Sequence, residues 1–115
     1  MIPNLHAVMA EMPELLRGYR TLHELFVDSG LNEDEQTIVW QTISVENTCH
    51  YCVPAHTGIA KSRKVDDAIT DALRDGTLLP NAHPGALRTF TLQVVRQRGD
   101  LSETELQTFF DAGYI

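Results

Sequence analysis

Cysteine is almost missing from this chain: 115 residues hold two, Cys49 and Cys52, three positions apart. A secreted disulfide framework spreads more of them along a chain this short, so that class is disfavoured. In a reducing compartment a close pair favours catalytic, redox or metal-binding use over a structural staple. Basic residues are also few, 9 Lys and Arg against 16 Asp and Glu, for a net charge of −7. That surface repels phosphate backbones and anionic headgroups, which argues against nucleic acid and membrane partners. It suits a small, neutral substrate. No apolar run approaches the roughly 20 residues needed to span a bilayer. The opening segment MIPNLHAVMAEMPELL lacks the basic start and continuous apolar core of a signal peptide, and Glu11 and Glu14 argue against a transit peptide. The expected location is the cytoplasm.

What is present is an ordinary globular balance, 43% apolar and 22% charged residues. The length favours one domain over residues 1–115. A chain this short buries its surface inefficiently, and oligomerisation would help it. Nothing reads as a strand, because apolar residues recur at spacings of three and four. Pro13 suits the first position of a helix ending near Gly30, with Leu15, Leu16, Tyr19, Leu22 and Phe26 as its stripe. Asn32 followed by Glu35 resembles a capping box, opening a helix through Ile38, Val39, Trp40 and Ile43 to about Asn47. A short helix follows from about Cys49 to Lys61. Val65, Ala68, Ile69, Ala72 and Leu73 mark another, with Gly76 at its end. A loop, TLLPNAHPG, leads to a helix from about Pro84 to Arg98, ended by Gly99. Ser102 with Glu105 repeats the capping-box pattern before Leu106, Phe109 and Phe110. The expected fold is all-α, a bundle of about six or seven short helices.

The segment with chemistry in it runs from Glu46 to His56 and reads E-x-x-C-x-x-C-x-x-x-H. At about 100° per residue, Cys49, Cys52 and His56 fall within roughly 60° of one another on a helix, with Glu46 about 60° further round. Two thiols, an imidazole and a carboxylate are thereby gathered together. A thiol of pKa about 8.5 is a poor nucleophile at neutral pH, and a neighbouring imidazole can take its proton. A carboxylate can hold that imidazole or relay the proton. A thiolate that attacks a peroxide O–O bond becomes a sulfenic acid. A second thiol one turn away can condense with it to a disulfide, which an external thiol reductant reopens. Pro54 leaves two arrangements open. The regular helix either begins near Cys52 with Cys49 just before it, or runs through both cysteines with a kink.

These residues resemble the active-site motif of the AhpD-like alkylhydroperoxidases in the carboxymuconolactone decarboxylase family. The flanks IPNLHAVMAEMPELLRGYRTL and LRTFTLQVVRQRGDLSETELQTFFDAGY are similar to those of its peroxidase-related branch, so the resemblance covers nearly the whole chain. It implies an AhpD-like helical fold assembled as a trimer, or as a hexamer of dimers. It also implies reduction of alkyl hydroperoxides or hydrogen peroxide with no cofactor, neither metal nor flavin. A thioredoxin-like or lipoyl-type dithiol would be the reductant. By the same resemblance Cys52 is the peroxidatic cysteine, Cys49 the resolving one, His56 the base and Glu46 part of the proton relay. The best-known members carry a histidine directly before the second cysteine, where this chain has Tyr51, and their relay glutamate lies further upstream than Glu46. Members usually continue with another helix after the segment matching Asp111 to Tyr114, whereas this sequence stops at Ile115, so the resemblance implies a domain lacking a C-terminal helix.

Other readings stand beside this one. The pair also suits a thiol–disulfide oxidoreductase or redox sensor with little peroxidase activity. Cys49, Cys52 and His56 would serve as three zinc ligands, with a fourth from His50, His6, His83 or a carboxylate, but no second CxxC or paired-histidine motif supplies it. Two buried thiols packing as small hydrophobes is the plainest alternative. His6, His23, His50 and His83 read as surface or loop residues, Trp40 as core, and Tyr51 as packing.

Overall fold

The computed structural model describes residues 3–114. They form seven α-helices and, among the described residues, no strand. The all-α expectation is met. The chain separates into two units, residues 1–31 and 32–115.

The first unit holds α1 (Asn4–Met9) and α2 (Pro13–Val27). α1 has no counterpart among the expected helices. Its last turn closes through the Ala10 amide on the His6 carbonyl and the Met12 amide on Met9, and Pro13 then opens α2. Pro13 costs nothing there, because the first helical N–H has no intrahelical acceptor. α2 ends at Val27, short of Gly30, since the Asp28 and Ser29 amides already close the last turn on Glu24 and Phe26. His6 meets Tyr19 edge-on at 5.8 Å, and Tyr19 stacks on His23 at 6.4 Å. Only part of the expected stripe is covered: Leu16 and Phe26 are half-buried, whereas Leu15 and Leu22 remain 54% and 69% exposed.

The second unit is built around α3 (Glu33–Glu46), which packs against α4 (Cys52–Ser62), α5 (Asp67–Asp75) and α6 (Ala82–Gln97). α7 (Glu103–Asp111) packs on α6. The capping box at the start of α3 is formed as expected: Asn32 Oδ1 accepts the Glu35 amide at 2.9 Å and Glu35 Oε2 accepts the Asn32 amide at 2.8 Å. Ser102 and Glu105 repeat it at α7. α6 begins at Ala82, before Pro84. Asn81 is extended there, and the proline falls in the first turn, where its missing N–H is not needed.

A helix with neighbours on three sides cannot show a single apolar stripe. α3 accordingly buries Ile38 but also Gln36, Thr37, Gln41, Thr42 and Ser44. Trp40, expected in the core, is only half-buried. Ser44 Oγ donates to the Trp40 carbonyl at 2.7 Å, and Arg63 Nη1 donates to Gln36 Oε1 at 2.9 Å. Ala60, Val65, Ala72, Leu73, Leu87 and Tyr114 are the other buried apolar residues described in this unit. A ring column closes the far side: His83 stacks on Tyr114 at 4.2 Å, Tyr114 on Phe109 at 4.8 Å, and Phe109 on Phe90 at 3.8 Å.

Candidate active site: a dithiol at the start of a helix

The site begins where α3 stops. Thr48 adopts φ 50°, in the left-handed region. Its amide bonds to the Val45 carbonyl at 3.0 Å, and the Cys49 amide bonds to Ser44, also at 3.0 Å. These two bonds are the Schellman closure, which satisfies carbonyls at a helix end and reverses the chain. Glycine usually supplies that conformation. Here a β-branched residue does, and Cys49 follows it directly.

Cys49 then starts the next turn. Its carbonyl accepts the Val53 amide at 3.1 Å, and its Sγ accepts the Cys52 amide at 3.0 Å. A side-chain acceptor three residues before its amide donor is the arrangement of an N-cap, with sulfur in place of oxygen. The regular helix α4 begins at Cys52. Of the two arrangements left open by Pro54, the structure has the first: the proline lies in the opening turn of α4 and Cys49 lies before the helix. Cys49 and Cys52 are joined in a disulfide, with Cα atoms 5.2 Å apart.

His56 lies four residues beyond Cys52 on α4, which sets both on the same side of the helix. The imidazole is half-buried, its Nδ1 is shielded from solvent, and the ring stacks on Trp40 at 5.2 Å. Arg63 sits over the same indole, also at 5.2 Å. Trp40 of α3 is thus a shelf on which the imidazole of α4 rests, and the same indole carries the Arg63 guanidinium.

Glu46 goes elsewhere. Both its oxygens accept from Arg96 of α6, at 2.6 Å to Nε and 3.0 Å to Nη2. These hydrogen bonds hold the Glu46 carboxyl below its ordinary range, outweighing the opposite pull of desolvation. Any relay through Glu46 competes with this bidentate pair. His50 and Tyr51 are exposed.

One contributor is invisible to motif reading. Gln41, fully buried on α3, donates from Nε2 to the Val53 carbonyl at 3.1 Å and to Thr57 Oγ1 at 2.9 Å. Thr57 Oγ1 in turn donates to Val53 at 2.8 Å. The first two turns of α4, which carry Cys52 and His56, are pinned to α3 through these bonds. The one sequence signal is a long amide inside the apolar stretch from Ile38 to Ile43.

Among the described residues no three His, Cys, Asp or Glu side chains are grouped to hold a metal ion. Sulfurs joined in a disulfide offer no thiolate to one. Nor, among those residues, is any helix long and apolar enough to cross a membrane. Fold and site together define an all-helical protein with a CxxC disulfide at the head of a helix, an arrangement compatible with redox activity. The chain matches no family model and no curated protein.

Proposed function

We propose that this chain is a thiol-dependent peroxidase of the AhpD-like type within the carboxymuconolactone decarboxylase family. The observation that carries the reading is the Cys49–Cys52 disulfide spanning the start of α4, with His56 one turn along the same helix. In the cycle, His56 takes the Cys52 proton and the thiolate attacks the terminal peroxide oxygen. The O–O bond breaks, Cys52 becomes a sulfenic acid, and the alkoxide takes a proton to leave as an alcohol. The Cys49 thiolate then attacks the Cys52 sulfur, expelling hydroxide, which is protonated to water, and forming the disulfide. A dithiol reductant, thioredoxin-like or lipoyl-type, returns two electrons. The small, neutral substrate fits a chain of net charge −7. The same reading places the protein in the cytoplasm as a homo-oligomer, and the exposed leucines of α2 support assembly. Purified protein mixed with cumene hydroperoxide and a dithiol should consume peroxide, and Cys52→Ser should reduce turnover to background. Undiminished turnover in that variant would dismiss the reading.

A second reading is favoured by the sulfur-capped geometry itself: a thiol–disulfide oxidoreductase or redox sensor. Fast exchange with a dithiol protein and negligible peroxide consumption would select it.

A further inference from the structure

The two sulfurs are not equivalent. Cys49 Sγ accepts the Cys52 amide at 3.0 Å, at the amino end of the eleven-residue helix α4. Among the described residues no hydrogen bond reaches Cys52 Sγ. Negative charge forming on Cys49 is met by an amide already aimed at it and by the positive end of the helix. Charge forming on Cys52 meets no such donor.

In thiol–disulfide exchange the sulfur that departs as the more stable thiolate leaves faster, so this asymmetry selects which sulfur is attacked. We propose that the reductant attacks Cys52 and that Cys49 is the leaving group. The inference rests on the redox reading of the pair and is common to its peroxidase and oxidoreductase forms. A reductant thiolate forms a bond to Cys52 Sγ, the Cys49–Cys52 bond breaks, and its electron pair stays on Cys49. The second thiol of the reductant, deprotonated, attacks the reductant sulfur of the mixed disulfide. That step closes the reductant's own disulfide and releases Cys52 as thiolate, to be protonated from His56 or water. Two electrons pass in all. Oxidant and reductant thus both arrive at Cys52, while Cys49 holds the charge between the two half-reactions.

The amide bond to sulfur spans only three residues, so it survives opening of the disulfide. It is a backbone donor, and no side-chain substitution removes it. The test therefore reads the sulfurs directly. The oxidised full chain is exposed to glutathione, quenched at once with iodoacetamide, and mapped by fragmentation mass spectrometry. The expected product carries glutathione on Cys52 and the carbamidomethyl group on Cys49, in about tenfold excess over the reverse pattern. The reverse pattern, equal labelling, or no adduct on either cysteine overturns the proposal. A second measurement uses the single-thiol variants Cys52→Ser and Cys49→Ser. The pH profile of alkylation for Cys49 should have the lower midpoint, and a lower midpoint for Cys52 counts against the proposal. Neither experiment contains peroxide. Loss of the peroxidase reading therefore leaves this result standing, and the converse also holds.

Discussion

Thr48 holds a β-branched side chain at φ 50°, a conformation that costs an L-residue roughly 1–2 kcal/mol. It is tolerated because the two amide bonds that end α3 require it. Thr48→Gly keeps those bonds and removes the side-chain clash. Glycine also loosens the unfolded chain, which subtracts from the gain, so a net stabilisation of about 1 kcal/mol is expected in urea unfolding. A destabilised variant would show that the threonine side chain supplies something the backbone does not. Thr42 makes a companion case. Its hydroxyl is buried with no hydrogen-bond partner, so Thr42→Val, nearly isosteric, should leave stability unchanged or raise it by about 1 kcal/mol. A loss larger than that would mean the hydroxyl is satisfied in solution. At this scale the sequence is informative about chemistry and silent about pairing. The thiols and the imidazole are legible from their spacing, because it spans one or two helical turns. The Glu46–Arg96 pair joins residues fifty positions apart, and Gln41 acts across a helix–helix contact. No local spacing announces either one.

Helix beginnings and helix ends differ in how far the sequence reveals them. Asn32 with Glu35 and Ser102 with Glu105 form their capping boxes as their spacing implies, since donor and acceptor lie within one turn. The ends are harder. Four helices close by the same bond, from the residue just after a left-handed one back to the carbonyl five positions earlier: Cys49 to Ser44, Val65 to Ala60, Thr77 to Ala72 and Gly99 to Val94. The left-handed residue is glycine only at Gly76. Elsewhere it is Thr48, Lys64 or Arg98, residues that carry no stop signal of their own. Gly99 looks like the stop of α6, yet Arg98 takes the left-handed position and Gly99 follows it. The start of α4 is a third kind of boundary, because a cysteine sulfur does the capping. Ser102→Ala tests the ordinary case. Losing its oxygen from the Glu105 amide should cost about 1 kcal/mol, read as a lower urea midpoint with unchanged slope. An unaltered midpoint would mean that the Glu105 half of the box, with its bond from Gln97, suffices to start α7.

The tertiary closure of the second unit depends on a cluster that no helical periodicity foreshadows. His83, expected as a plain surface residue, bonds through Nδ1 to the Ala112 carbonyl at 2.8 Å, and its Nε2 lies 3.7 Å from Glu35. Tyr114 stacks on its ring and donates its hydroxyl to the His83 carbonyl at 3.3 Å. The chain beyond α7 is in this way fastened to the starts of α3 and α6. Burial is the main reason that the Tyr114 phenol is pushed up to about 12, and the nearby Glu35 carboxylate adds to it. A phenol raised in the folded state keeps its proton there after the unfolded chain has released it. Its contribution to stability is therefore fully present below the unfolded value of about 10 and is lost as pH climbs through the folded one. Other groups also titrate in that window, so the informative quantity is a difference. Tyr114→Phe preserves the ring stack and lacks the ionising group. Below pH 9 the variant should be the less stable of the two by a constant amount, from the missing hydrogen bond. Between pH 10 and 12 the wild type should lose stability faster, and the gap should close or reverse. Parallel stability curves across that range would place the Tyr114 hydroxyl in water, and the fastening of the chain end to α3 would then have to come from the ring column alone.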